Sequence, residues 1–112
     1  MTEIISFDDF TKVDIRIGTI IDVQDFPKAK KPAYQLTIDF GALGIKKSSA
    51  QITALYTKEQ LMNRQITAVV NFAPKLIANF LSECLVLGVA DDNGDIVLLQ
   101  ASTSTKNGNQ VN

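Results

Sequence analysis

The chain has 112 residues, of which 46% are hydrophobic and 21% charged, and its formal net charge is −1. This composition fits one soluble globular domain over residues 1–112 and excludes disordered, fibrous and polycationic chains. A general affinity for polyanions is excluded with them, so a nucleic-acid site has to be a local basic patch on a mildly acidic background.

Met1 to Ser6 carries Glu3 and only the pair Ile4-Ile5 before Asp8 and Asp9, which fits no signal peptide. No apolar run approaches the ~20 residues of a membrane-spanning helix, so membrane insertion is not expected. Val13, Ile15 and Ile17 then alternate with Asp14, Arg16 and Gly18 before the phase slips to Ile21 and Val23. The alternation predicts a first strand, and the slip predicts a bulge at Gly18 that bends it around a barrel corner.

Tyr34, Leu36, Ile38 and Phe40 alternate with Gln35, Thr37 and Asp39, which predicts a second strand with Tyr34 facing inward. Gly41 to Gly44 makes a turn, and Ile45 to Ile52 returns as a third strand whose low apolar content leaves one face solvated. Thr57 and Gln60 stand at capping-box spacing, and Leu61 with Met62 gives an apolar face to a helix of about two turns. Ile66, Ala68, Val70 and Phe72 predict a fourth strand, ended by Pro74 for want of an N–H.

A last hairpin runs from Cys84 to Ala90, turns at Asp91-Asp92-Asn93-Gly94 and returns over Ile96 to Leu99. The stretch Ala101 to Asn112 is rich in Ser, Thr, Asn and Gln, and its composition predicts a frayed tail. Short strands at regular spacing, with one short helix between the third and fourth, predict an all-β fold. Its form is a five-stranded Greek-key barrel of the OB type with short helices. The long crossover helices of a parallel sheet are absent.

The chemistry of catalysis is missing. The chain has no histidine, which removes the commonest general base, the Ser-His and Cys-His pairs and the usual zinc ligand. Ser48-Ser49 has no accompanying base and reads as strand hydroxyls. Asp91, Asn93 and Asp95 begin like a calcium loop, yet Ile96 stands where the loop needs glycine and Ser102 where it needs glutamate. Gly41, Gly44 and Gly88 match no phosphate-binding spacing. Cys84 is the single cysteine, so no intrachain disulfide forms, the cytoplasm is favoured, and the thiol reads as a small buried residue. No cofactor, metal or enzymatic activity is expected.

Two segments carry binding character. Lys28, Lys30 and Lys31 surround Pro27 and Pro32, and with Lys46 and Lys47 they put five cations within twenty residues. They form a basic patch, although a solvated loop offset by Asp22 and Asp25 carries the same pattern. The second segment, Asn71 to Glu83, reads as an irregular loop. Asn71 and Ser82 offer hydrogen bonds, Lys75 a charge, and Leu76, Ile77, Phe80 and Leu81 more apolar surface than one loop hides. Part of it caps the barrel, and the remainder forms a partner surface or a subunit contact.

Four motifs occur in order: Asp14-Ile15-Arg16-Ile17-Gly18, Ile38-Asp39-Phe40-Gly41, Asn71-Phe72 with Pro74-Lys75, and Ser82-Glu83. From Phe7 to Val111 the chain resembles the tRNA-binding domain family, whose members include a domain appended to some methionyl-tRNA synthetases and free-standing export-related chaperones. Its length without a synthetase, the run Lys46 to Ile52 and the ending Asn107-Gly108 with Val111 resemble the free-standing members.

The resemblance implies an OB-fold homodimer with an ordered tail, acting as a cytoplasmic chaperone of unfolded or presecretory polypeptides, with the export machinery as a further partner. The apolar excess of the Pro74 to Ser82 loop, read from its own residues, places Leu76 and Phe80 in the polypeptide groove of such a chaperone. The alternative the resemblance implies is structure-selective tRNA binding through Arg16, Lys28, Lys30, Lys46, Lys47, Asn71, Lys75 and Ser82. The chain departs from the family at Asn79, where glycine is usual, and at Leu76 and Leu81, where basic residues are frequent. These departures reduce charge and add apolar area.

Overall fold

The computed structural model describes residues 2–112. In chain order the elements are α1 (Phe7–Thr11), β1 (Ile15–Asp25), β2 (Tyr34–Asp39), a single 3-10 turn at Gly41–Leu43, β3 (Ile45–Ala50) and α2 (Lys58–Leu61). They continue with β4 (Gln65–Val69), β5 (Lys75–Ile77), β6 (Phe80–Ser82), β7 (Leu85–Val86), β8 (Gly88–Ala90) and β9 (Ile96–Leu98). Five strands form one antiparallel sheet in the order β3-β2-β1-β4-β7, and β3 lies beside β7, so the sheet curls into a nearly closed barrel. This is the expected OB-like arrangement.

The alternation in β2 sets the core. Tyr34, Leu36 and Ile38 point inward and are joined by Phe40, Ile20, Val23, Ile66, Ala68 and Leu61 in one buried cluster. A sheet face that buries every second residue fixes register, because a slip of one would send this whole set to solvent. The short helix α2 forms where the capping box is written: Thr57 Oγ1 accepts from the Gln60 N–H at 3.2 Å and Gln60 Oε1 from the Thr57 N–H at 2.9 Å. Such a cap contributes about 1 kcal/mol, and it aims Leu61 into the core.

Several expectations need correction. The bulge lies at Ile21, where the β1–β2 register shifts between Ile20 and Asp22. Gly18 serves a different purpose: a Cβ there would lie 2.7 Å from Ile38 Cγ2 and from Phe40 Cδ1, so glycine lets β1 cross close over the core. The helix α2 has one turn and not two, and Met62 caps it at the surface. The fourth strand ends at Val69, well before Pro74: the Val70 N–H still bonds Asp14 O in register, but the Asp14 N–H is taken by Asn71 Oδ1, which closes the ladder. Helix α1 has no counterpart in the sequence reading; a capping box from Ser6 to Asp9 starts it, and none of its residues is buried.

The tail is not frayed. The first half of β1 pairs with β4, while β2 pairs only from Thr19 onward, so one edge of Ile15 to Ile17 lacks a neighbouring strand. The tail fills that edge: the Gly108 N–H bonds Ile17 O at 2.7 Å, the Ile17 N–H bonds Asn109 O at 3.0 Å, and the Val111 N–H bonds Ile15 O at 2.8 Å. Polar composition does not register this demand, because the demand comes from an unpaired edge far away in sequence.

Candidate functional site

The barrel wall closes between β3 and the segment 82–84 through side chains more than through a strand ladder. Ser48, fully buried, donates its hydroxyl to Cys84 O at 3.1 Å. Ser82 Oγ accepts from the Ser49 N–H at 3.1 Å, Glu83 Oε1 accepts from the Lys47 N–H at 3.0 Å, and the Glu83 N–H returns to Lys47 O at 2.7 Å. Each bond satisfies a backbone group of a strand edge that would otherwise be open.

Residues 71–83, expected as an irregular loop, contain a hairpin. β5 and β6 pair as Lys75↔Ser82, Leu76↔Leu81 and Ile77↔Phe80. Its turn places Ala78, and not Asn79, at positive φ (+53°). Alternation along the hairpin then sorts its side chains. Phe80 is buried and meets Phe26 edge to face at 5.4 Å, with Ala33, Ala29 and Ile77 packed around them. This second, smaller core ties the hairpin to the loop that carries Lys28, Lys30 and Lys31.

Beside the hairpin is a slot of about 460 Å3, walled by Phe72, Ala73, Ile77, Cys84 and Leu85, with Ser49, Lys75, Ser82 and Glu83 at its polar margin. Phe72 is 56% exposed. A second lobe of about 390 Å3 is lined by Lys28, Lys30 and Lys31 with Ala29, Ala33, Ser49, Gln51, Ile77 and Ala78. Burial pushes the Cys84 thiol up to about 11, against the pull of the Lys46 ammonium and of the hydrogen bond from Ser48. The thiol at the slot is therefore neutral at physiological pH.

The sequence-derived candidates fall in different places. Lys28 and Lys30 line the basic lobe, and Lys75 and Ser82 line the slot. Leu76 points to the other face of the hairpin, 69% exposed, and forms an apolar pair with Leu81 across from it. Phe80 is interior and supports the groove without lining it. Lys46 and Lys47 lie on β3 outside both cavities.

Arg16 and Asn71 hold the fold. The Arg16 guanidinium sits 2.6 Å from Asp14 Oδ1 and donates to Gly108 O at 3.0 Å. The Asn71 amide accepts from the Asp14 N–H at 3.0 Å and donates to Lys12 O at 2.7 Å. Sequence reasoning named Ile77 among the apolar residues of this segment but missed Phe72, Leu85 and Glu83 as lining residues. The one local signal was Phe72, an aromatic standing next to a proline-containing loop. Among the described residues no cluster of His, Cys, Asp and Glu is able to hold a metal ion, and no helix is long and apolar enough to cross a membrane.

Comparison with known proteins agrees with this architecture. A family model described as a putative tRNA binding domain matches residues 15–110. The solved structure of chaperone CsaA from Bacillus anthracis is 49% identical, with a TM-score of 0.93 over 98% of this chain and 100% of that one. The CsaA chaperone protein from Picrophilus torridus is 50% identical, with a TM-score of 0.92 over 97% of this chain and 100% of that one. Methionine–tRNA ligase of Pyrococcus furiosus is 36% identical over 107 residues, which are 96% of this chain but 14% of the ligase. The similarity to ligases thus concerns a small part of a larger enzyme. The chain belongs to the putative tRNA-binding domain family and, within it, groups with the CsaA proteins.

Proposed function

We propose that this protein is a binding protein and not an enzyme: a cytoplasmic chaperone in which one 1–112 domain holds unfolded, export-bound polypeptide segments and works as a homodimer. The observation that carries the reading is the apolar slot beside the β5–β6 hairpin, with the exposed Leu76 and Leu81 pair on the hairpin's outer face. Apolar surface at a slot whose charged lining residues are Lys75 and Glu83 suits extended, unfolded chain better than a folded partner. The chaperone titles of the two CsaA structures support the same reading.

The dimer is supported by apolar surface elsewhere. Ile4, Ile5 and Phe7 are 93%, 62% and 75% exposed, and Ile15, Leu87, Leu99 and Val111 line an almost wholly apolar hollow of about 340 Å3. Surface of that kind calls for a partner in water. A docking role toward the export machinery belongs to this proposal too.

A second reading, tRNA binding, is favoured by one observation: Lys28, Lys30 and Lys31 converge on one lobe, and none forms an ion pair among the described residues. Four neutralised phosphates would give a slope of about −3 to −4 in log affinity against log salt. The deciding experiment measures binding of permanently unfolded, carboxymethylated α-lactalbumin and of bulk tRNA at two salt concentrations, with the mass of the complex determined by light scattering. Binding of the unfolded protein by a dimer at both salts is the expected result. Binding of tRNA alone, or a monomer, overturns the chaperone proposal.

A further inference from the structure

The slot and the basic lobe are two ends of one groove. Ser49 and Ile77 line both cavities, and the Phe26–Phe80 contact fixes the lysine loop against the hairpin that carries Ile77. One end presents Phe72 and Leu85, the other Lys28, Lys30 and Lys31 with no acidic side chain among the lining residues. Glu83 is the single acid of the groove, and one of its carboxylate oxygens is held by the Lys47 N–H. The formal net charge of the chain is −1, so a groove with this excess of lysine leaves the rest of the surface net acidic.

Resting on the polypeptide reading above, we propose that this groove selects unfolded segments in which an apolar side chain and an Asp or Glu are spaced by two or four residues. An extended chain puts residues i, i+2 and i+4 on the same side and advances about 3.3 Å per residue. The apolar side chain then enters the slot while the carboxylate meets the lysines of the adjoining lobe. The acidic surface elsewhere repels such a segment and directs it to the groove. A segment whose apolar residues are flanked by Lys or Arg meets like charge at the basic lobe and is disfavoured.

The test uses three fluorescein-labelled peptides with one Leu-Phe-Leu core flanked on both sides by Asp, Ser or Lys, titrated with the full-length protein by fluorescence anisotropy. The Asp-flanked peptide should bind about tenfold more tightly than the Lys-flanked one at low salt, the sum of several exposed charge contacts. The gap should narrow as salt rises past the point where the screening length falls below 10 Å, which is at about 0.1 M. The triple variant Lys28→Ser, Lys30→Ser, Lys31→Ser should collapse the difference among the three peptides, and its circular dichroism reports whether the barrel is intact.

Equal affinities for the three flanks, or preference for Lys, overturn this inference while leaving the polypeptide reading in place. Absence of binding by every peptide overturns both. Displacement of the Asp-flanked peptide by a single-stranded oligonucleotide that itself binds more tightly assigns the lysines to nucleic acid and also overturns the inference.

Discussion

The hydroxyl of Ser48 lies 3.1 Å from the carbonyl oxygen of Cys84, joining two residues 36 positions apart across the seam of the barrel. Ser48 is wholly buried, and β3 and β7 share no ladder at this point. Replacing Ser48 by alanine removes the donor and leaves Cys84 O with only the longer 3.5 Å contact from Ser82 Oγ. The expected loss is about 1–2 kcal/mol, or a fall in Tm of roughly 5–10 °C for a chain of this size. Urea unfolding followed by circular dichroism checks it; an unchanged midpoint would mean that the seam closes without this bond.

That bond also shows where the sequence stops being legible. The β2 alternation and the Thr57–Gln60 cap are local patterns, and both stand where the sequence put them. The seam depends on side-chain bonds between residues more than thirty positions apart, which leave no periodic trace. The site suffers the same limit. Leu76 and Phe80 were both expected in the groove, yet strands of three residues give too short a period to tell an outward Leu76 from an inward Phe80. The tail misled for a related reason, since its order is set by the open edge of β1 and not by its own composition.

The tail should respond to a single methyl group. Gly108 has φ of +93°, and a Cβ there would lie 2.6 Å from Phe40 O. Gly108→Ala is expected to loosen the tail at a cost of about 1–3 kcal/mol. Hydrogen exchange of the Ile17 amide, whose acceptor is Asn109 O, should then accelerate, while amides of the β2 core keep their protection. Uniform acceleration across the barrel would show that the tail is part of one cooperative unit.

Alkaline conditions should weaken the protein through Cys84. Its thiol has an ordinary value of 9.0 and is raised to about 11 by burial. The folded state therefore holds the proton more tightly than the unfolded one. The associated stability is fully present below pH 9 and is lost as pH rises from there to about 11, on the order of 2–3 kcal/mol in all. Thermal melts between pH 8 and 11 should fall steeply for the native chain and less for Cys84→Ala.

Phe72 separates the two apolar features that compete for the role of polypeptide contact. It lines the slot, lies outside every strand and is 56% exposed, so Phe72→Ser removes slot surface with little effect on the core. Losing an aromatic contact of this size should raise the Kd for carboxymethylated α-lactalbumin about tenfold. Leu43→Ser, at a similarly exposed position on the 3-10 turn and lining neither lobe, should leave it unchanged. If calorimetry instead finds the loss in the double variant Leu76→Ser, Leu81→Ser and not in Phe72→Ser, the outer face of the hairpin is the contact. The slot would then be a by-product of a seam closed by side chains.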